Sequence, residues 1–202
     1  MLRLIFLALL LAALPAPAAA QANPSDAVTL QPGDVIRVLI WREEDLSGEF
    51  LVDETGAVTL PLLGERKVNG TPMRQLRDQL IAAYREQLRN PSITIVPLRR
   101  INVLGEVNQP GLYLADPTIT LAGAIGLAGG TSPAGSMERV RILRGGQVVQ
   151  NRPGAAVALN TIDVRSGDQI VVGSRSWLSR NAPYVVSTAL SVTTLLITLA
   201  SR

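Results

Sequence analysis

The 202-residue sequence contains no cysteine and no histidine, and only 3% of it is aromatic. Lys67 is its only lysine. Each absence removes a class of chemistry. Without cysteine there is no disulfide, no thiolate nucleophile and no lipid-bearing cysteine. Without histidine and cysteine, neither a His/Cys zinc site nor a Ser-His-Asp triad can be assembled. Catalysis would have to come from carboxylates, arginine, tyrosine or Lys67. The adjacent acidic pairs Glu43/Glu44 and Asp53/Glu54 sit where neighbouring side chains point apart, which makes them poor acid/base couples. The glycines form neither a dinucleotide fingerprint nor a phosphate loop, so no nucleotide, metal or other cofactor is expected. Positive charge exceeds negative only slightly, 19 Lys+Arg against 16 Asp+Glu, and the arginines are scattered. Pairs such as Arg99 and Arg100 are too short to track a phosphate backbone, which argues against a nucleic-acid partner.

Long apolar stretches occur only at the two ends. Arg3 precedes an apolar run from Leu4 to Leu14, and small residues follow as far as Ala22. The run is too short to cross a bilayer, and the pattern predicts a secretory signal peptide over 1–22, cleaved after Ala20 or Ala22. Residues 181–201 carry no charge and are closed by Arg180 and Arg202. As a helix, about twenty residues at ~1.5 Å each would reach the ~30 Å of a hydrocarbon core. Trp177 and Tyr184 stand where interfacial aromatics belong. Ser187, Ser191, Thr194 and Thr198 recur at helical spacing on one stripe, with Val192, Leu196 and Leu199 opposite. Three readings stay open: a single spanning helix, a pore-lining or oligomer-facing stripe, and a buried helix of a soluble domain.

The middle reads as two small α+β units. Pro32, Gly33 and Asp34 give a type II turn ahead of the β-rich run Val35 to Trp41, and Gly167 and Asp168 repeat the arrangement ahead of Gln169 to Val172. Glu49 to Asp53 and Ala57 to Pro61 are predicted to pair as a hairpin through Gly56. A helix is expected from Thr71, as cap, with Pro72 in first position and Met73, Leu76, Leu80, Tyr84 and Leu88 on one face. A strand over Ser92 to Val96 completes the first unit, which ends near Leu98. The second unit opens at Ile101 with a separate strand. It turns at Pro110 and Gly111, with positive φ expected at Gly111, and continues through a short helix capped by Thr118 or Thr120 and ended by Gly129 and Gly130. Arg139 to Arg144 alternates charged and apolar residues, and a hairpin at Gly145 and Gly146 is expected. A small sheet crossed by one helix would be grasp-like. Arg139 and Arg141 share one strand face and are candidates for meeting an acidic polymer, with Arg144 nearby.

These motifs, in this order, resemble the bacterial polysaccharide biosynthesis/export proteins of outer-membrane export machinery. The first unit is similar to their export domain through Leu30, Pro32, Gly33 and Asp34, then Asp45 to Ser47, Val52, Asp53, Gly56, Leu60, Pro61, Gly64, Gly70, Asn90 and Pro91. The second is similar to their soluble-ligand-binding (SLBB) β-grasp domain through Val103, Gly105, Glu106, Val107, Pro110, Gly111, Tyr113, Gly129 and Gly130. The resemblance implies an α+β chain divided into a signal peptide (1–22), an export domain of hairpin plus helix (28–98), an SLBB β-grasp domain (99–173) and a C-terminal transmembrane or barrel helix (181–201). It further implies a non-enzymatic, ring-forming homo-oligomer of the periplasm and outer membrane of a Gram-negative bacterium. Such a ring would take exopolysaccharide or capsule polymer from an inner-membrane synthesis and co-polymerase complex and touch lipid through its last helix. The alternative is a periplasmic adaptor anchored in the inner membrane.

Overall fold

The computed structural model describes residues 28–176. The expected signal peptide and the charge-free segment with Ser187, Ser191, Thr194 and Thr198 lie outside the described residues. Among the described residues no helix is long and apolar enough to cross a membrane. The elements in chain order are β1 (Val35–Ile40), a 3-10 turn (Glu44–Leu46), β2 (Gly48–Leu51), β3 (Ala57–Leu60), β4 (Gly64–Lys67), α1 (Met73–Gln87) and β5 (Ile93–Gly105). They continue with β6 (Gly111–Ala115), α2 (Leu121–Leu127), β7 (Gly135–Arg144), β8 (Gln147–Asn151) and β9 (Gln169–Ser174). The fold is α+β, with one large sheet in the order β2-β1-β5-β9-β7-β8, β6 paired to β5, and a separate β3-β4 hairpin.

Two apolar cores form on this frame. In the first, Ile36, Val38 and Ile95 of the sheet meet Met73, Leu76, Leu80 and Tyr84 of α1. That is the stripe the helical spacing dictates. The expected cap at Thr71 does not form: Pro72 is the N-cap, without a side-chain hydrogen bond, and Leu76 N donates to Pro72 O at 3.0 Å. In the second core, Ile101, Val103, Val140, Ile142, Ile170 and Val172 of the sheet pack on Leu121, Ala124 and Ile125 of α2. Here the cap is Thr120, whose Oγ1 accepts from Gly123 N at 3.1 Å. Gly129 and Gly130 follow with φ of 73° and 80°, and Gly145 and Gly146 close the β7-β8 hairpin, both with positive φ.

Three further expectations fail for identifiable reasons. β2 pairs with β1 instead of β3, and β3 pairs with β4, so the anticipated hairpin is replaced by two others. The Asp53 carboxylate decides this locally by accepting from Thr55 N, Thr55 Oγ1 and Ala57 N, which folds the connection into a side-chain-braced turn. The Thr55 hydroxyl is the main cause holding the Asp53 carboxyl below its ordinary value. Second, residues 92–107 do not hold two strands with a break between them. β5 runs unbroken through Pro97 and Arg99, with β1 beside residues 93–98 and β9 beside 102–105. Trp41 N donates to Ser92 O, and this alternation turns even-numbered residues toward β1. The missing N–H of Pro97 therefore falls on the other side, before β6 begins pairing at Arg99, and costs no ladder bond. Third, Gly111 is not among the positive-φ glycines. It is the first residue of β6, and a Cβ there would meet only the Tyr113 ring, at 3.6 Å. Gly105 is the strained position, with φ +84° and Val172 O only 2.2 Å from where a Cβ would stand.

Candidate functional site

The two Gly-Asp turns, far apart in sequence, meet in space. β1 and β9 lie end to end along the same edge of β5, so the turns that launch them face each other beside Arg99 and Arg100. Each turn is closed in the same way. Asp34 N donates to Gln31 O at 3.0 Å while Asp34 Oδ2 accepts from Gln31 N at 2.9 Å. Asp168 N donates to Arg165 O at 3.1 Å while Asp168 Oδ2 accepts from Arg165 N at 2.8 Å. Gly33 and Gly167 supply φ of 88° and 93°, as a type II turn requires. Ser166 joins the two turns: its hydroxyl donates to Asp34 Oδ1 and accepts from Arg100 N.

Charge is buried at this junction. Asp34, Arg99 and Asp168 are the buried charged residues of the described chain, at 2%, 5% and 1% exposure. Arg99 Nη1 donates to Val164 O. Burial pushes the Arg99 guanidinium down, opposed by the charges of Asp34, Asp163 and Asp168. Burial likewise pushes the Asp34 carboxyl up, opposed by the Ser166 hydroxyl, the Gln31 N–H and Arg99. Arg144 forks onto Asp168 through Nε (2.8 Å) and Nη2 (2.9 Å), and Nη2 also donates to Asp163 O at 2.7 Å. The hydrogen bond to Asp168 raises the Arg144 guanidinium, and Arg165 is the first cause lowering Asp163. Asp34 and Asp168 are already engaged and closed off from solvent, and the exposed Asp163 is taken up by Arg165 and Arg144. The arrangement fastens the two units together and offers no free acid or base. Pro32, Gly33 and Asp34 are thus parts of a joint. Nothing local in the sequence signals that the joint includes Arg99, Ser166 and Arg144.

Arg139 and Arg141 stand on the opposite face of the second unit. Val140 and Ile142 point into the core, so the alternation of β7 turns both arginines outward. Arg144, grouped with them by sequence, is held away on Asp168 and Asp163. In its place the structure brings in Arg152, which sequence reasoning missed: it follows β8, and its N–H donates to Val140 O at 2.9 Å. Arg139, Arg141, Asn151, Arg152, Gly173 and Ser174 line a groove of about 480 Å³. Elsewhere Pro110 belongs to a loop held by Gly129 and Gly130: Asn108 N donates to Gly130 O, and Asn108 Nδ2 donates to Gly129 O at 2.6 Å. Of the aromatics, Tyr84 is fully buried, whereas Trp41 is 73% exposed at the end of β1.

Sequence models of two families match successive stretches of the chain: polysaccharide biosynthesis/export protein over residues 22–96 and SLBB domain over residues 100–153. The chain belongs to the polysaccharide biosynthesis/export family. Among the similar relatives of this family, the EPS I polysaccharide export outer membrane protein EpsA of Ralstonia solanacearum is 33% identical over 104 residues, 48% of this chain and 28% of the relative. The polysialic acid transport protein KpsD of Escherichia coli is 30% identical over 156 residues, 72% of this chain and 28% of the relative. The exopolysaccharide production protein ExoF of Rhizobium meliloti is 28% identical over 145 residues, 64% of this chain and 34% of the relative. The aligned stretches therefore span about a third or less of these relatives' lengths.

Proposed function

We propose that this chain is a non-catalytic component of an exopolysaccharide or capsule export machine, moving polysaccharide from the periplasm across the outer membrane. The observation that carries this reading is the succession of an export-family stretch and an SLBB stretch in one chain, together with relatives whose names describe polysaccharide export and transport. In this reading residues 28–98 are the export domain, 99–173 the β-grasp SLBB domain, and 1–22 a leader removed on secretion. Copies of the chain assemble as a ring, receive polymer from an inner-membrane synthesis and co-polymerase complex, and insert residues 181–201 among lipids. Arg139 and Arg141 touch the polymer. Ser187, Ser191, Thr194 and Thr198 face water, so polar sugar slides past an uncharged hydrated wall and is released as readily as it enters.

Membrane fractionation, combined with a deletion strain, tests the reading. Recovery of the chain with the outer membrane and loss of surface polymer on deletion are expected. Recovery with the inner membrane would replace the conduit by an adaptor that docks the synthesis complex, and undiminished polymer would remove the export role. The helix has its own test, which the absence of cysteine makes clean. Ser191→Cys or Thr194→Cys in the assembled protein should react with a membrane-impermeant thiol reagent, and Leu196→Cys should not. Equal protection at all three positions would eliminate the water-facing stripe.

A further inference from the structure

We propose that the groove across β8, β7 and β9 is a subsite for carboxylate-bearing polysaccharide, so that the chain handles an acidic polymer in preference to a neutral one. The inference rests on the export reading and names the chemical class of its cargo. Three arginines, Arg139, Arg141 and Arg152, line one concavity. Among the described residues no carboxylate forms an ion pair with any of them, whereas Arg37, Arg144 and Arg165 are each tied to one. The three arginines of the groove therefore meet no carboxylate at ion-pair distance within the described chain.

The groove is also built by the backbone. The register of β7 against β9 shifts between Gly135 and Val140, so Arg139 sits within an irregularity that re-aims its side chain, and its Nη1 donates to Ser174 O at 3.1 Å. Gly173 makes this approach possible, because a Cβ there would stand 2.9 Å from Arg139 O and 3.1 Å from Arg139 Cβ. Arg152 adopts φ 53° and donates its N–H to Val140 O, which sets it opposite the residue between the two strand arginines.

The lining chemistry selects the ligand. No aromatic side chain lines the groove, so a neutral sugar finds no stacking platform and gains little over its hydrogen bonds to water. Carboxylates on a sugar chain instead meet planar guanidinium forks with charge-assisted, bidentate geometry. Three arginines in one concavity do not form the extended track that a nucleic-acid backbone needs, and no large apolar side chain lines the groove to enter a bilayer. Its openness to solvent leaves the attraction screened and exchangeable, as transit demands.

The test uses the full-length chain in a neutral detergent, with fluorescently labelled hexagalacturonate and a labelled neutral dextran hexamer as probes, read by anisotropy. Hexagalacturonate should bind, with affinity falling as salt rises, and the dextran hexamer should bind at least about tenfold more weakly. Arg141→Glu and Arg152→Glu should each weaken hexagalacturonate binding about tenfold, and Arg141→Lys should weaken it less. Arg85→Glu on α1, an identical change in net charge away from the groove, should stay within about twofold of the parent. Thermal melts establish which variants are folded, and Arg152→Glu, on the connection after β8, carries the test if Arg141→Glu unfolds. Equal affinity for the two hexamers, no binding of either, or an equal loss in Arg85→Glu would overturn the proposal. So would displacement of hexagalacturonate by phosphatidylglycerol vesicles with the same loss in the groove variants, which would make the site a lipid contact. Unchanged polymer export in the deletion strain would instead overturn the export reading while leaving the measured selectivity of the groove standing.

Discussion

Replacing Asp168 with alanine should destabilise the protein by about 2–4 kcal/mol, the cost of removing a buried carboxylate from its hydrogen bonds to a turn N–H and to a guanidinium that is itself 34% exposed. Asp168 is 1% exposed and accepts from Arg165 N and from both arms of the Arg144 fork. Truncation strands the Arg165 N–H that closes the turn and leaves Arg99 and Arg144 with less counter-charge. By contrast, Arg37→Ala breaks the Arg37–Glu49 pair, whose side chains are 40% and 43% exposed, and should cost only about 0–1 kcal/mol. Urea denaturation of the two variants beside the parent checks the difference. If Asp168→Ala falls within the range expected for Arg37→Ala, the junction does not hold the units together. The double variant Asp168→Ala/Arg144→Met should recover part of the loss, because it removes the stranded cation along with its partner.

Gly105→Ala carries the second large effect. The residue ends β5 at φ +84°, and the added methyl would be driven to 2.2 Å from Val172 O, a backbone atom of the neighbouring strand that cannot swing aside. Left-handed strain of about 1–2 kcal/mol adds to an overpacking cost of about 1–3 kcal/mol, giving about 2–5 kcal/mol in all. Gly111→Ala should cost under about 1 kcal/mol, since the strand conformation is open to any residue and the nearest atoms belong to the exposed side of Tyr113. Thermal unfolding of the pair reads this directly. Comparable losses at both positions would show that the Gly105 backbone relaxes more easily than the approach to Val172 allows.

The contrast between these glycines shows where sequence is informative. Pro-Gly at 32–33 and at 110–111 look alike, yet only the first takes the type II turn. The conformation at Gly111 is set by its pairing with Val103 across the sheet, which no local pattern announces. α1 was legible because its burial follows the spacing of its own apolar residues. β4 was not, because Gly64, Glu65, Arg66 and Lys67 are all exposed and give no alternation to read. The two Gly-Asp turns were visible as a repeat, but their convergence depends on β1 and β9 sharing one edge of β5. In the same way Arg99, which reads as surface charge beside Arg100, is buried because the strand continues through it. Arg141 could be read from the alternation of β7. Arg152 could not, because it reaches the groove through a hydrogen bond to Val140 and a left-handed residue outside any periodic element.

The shared strand also settles how the two halves can move. At about 3.3 Å per residue, the thirteen residues of β5 form a beam of about 40 Å. One end is gripped by β1 and the other by β6 and β9. A hinge needs a few backbone torsions free to change, and along this beam the torsions are committed to ladder hydrogen bonds, with the paired turns clamping its midpoint. A push applied to the first half therefore arrives at the second as a tilt of the whole body, with little angle lost between them.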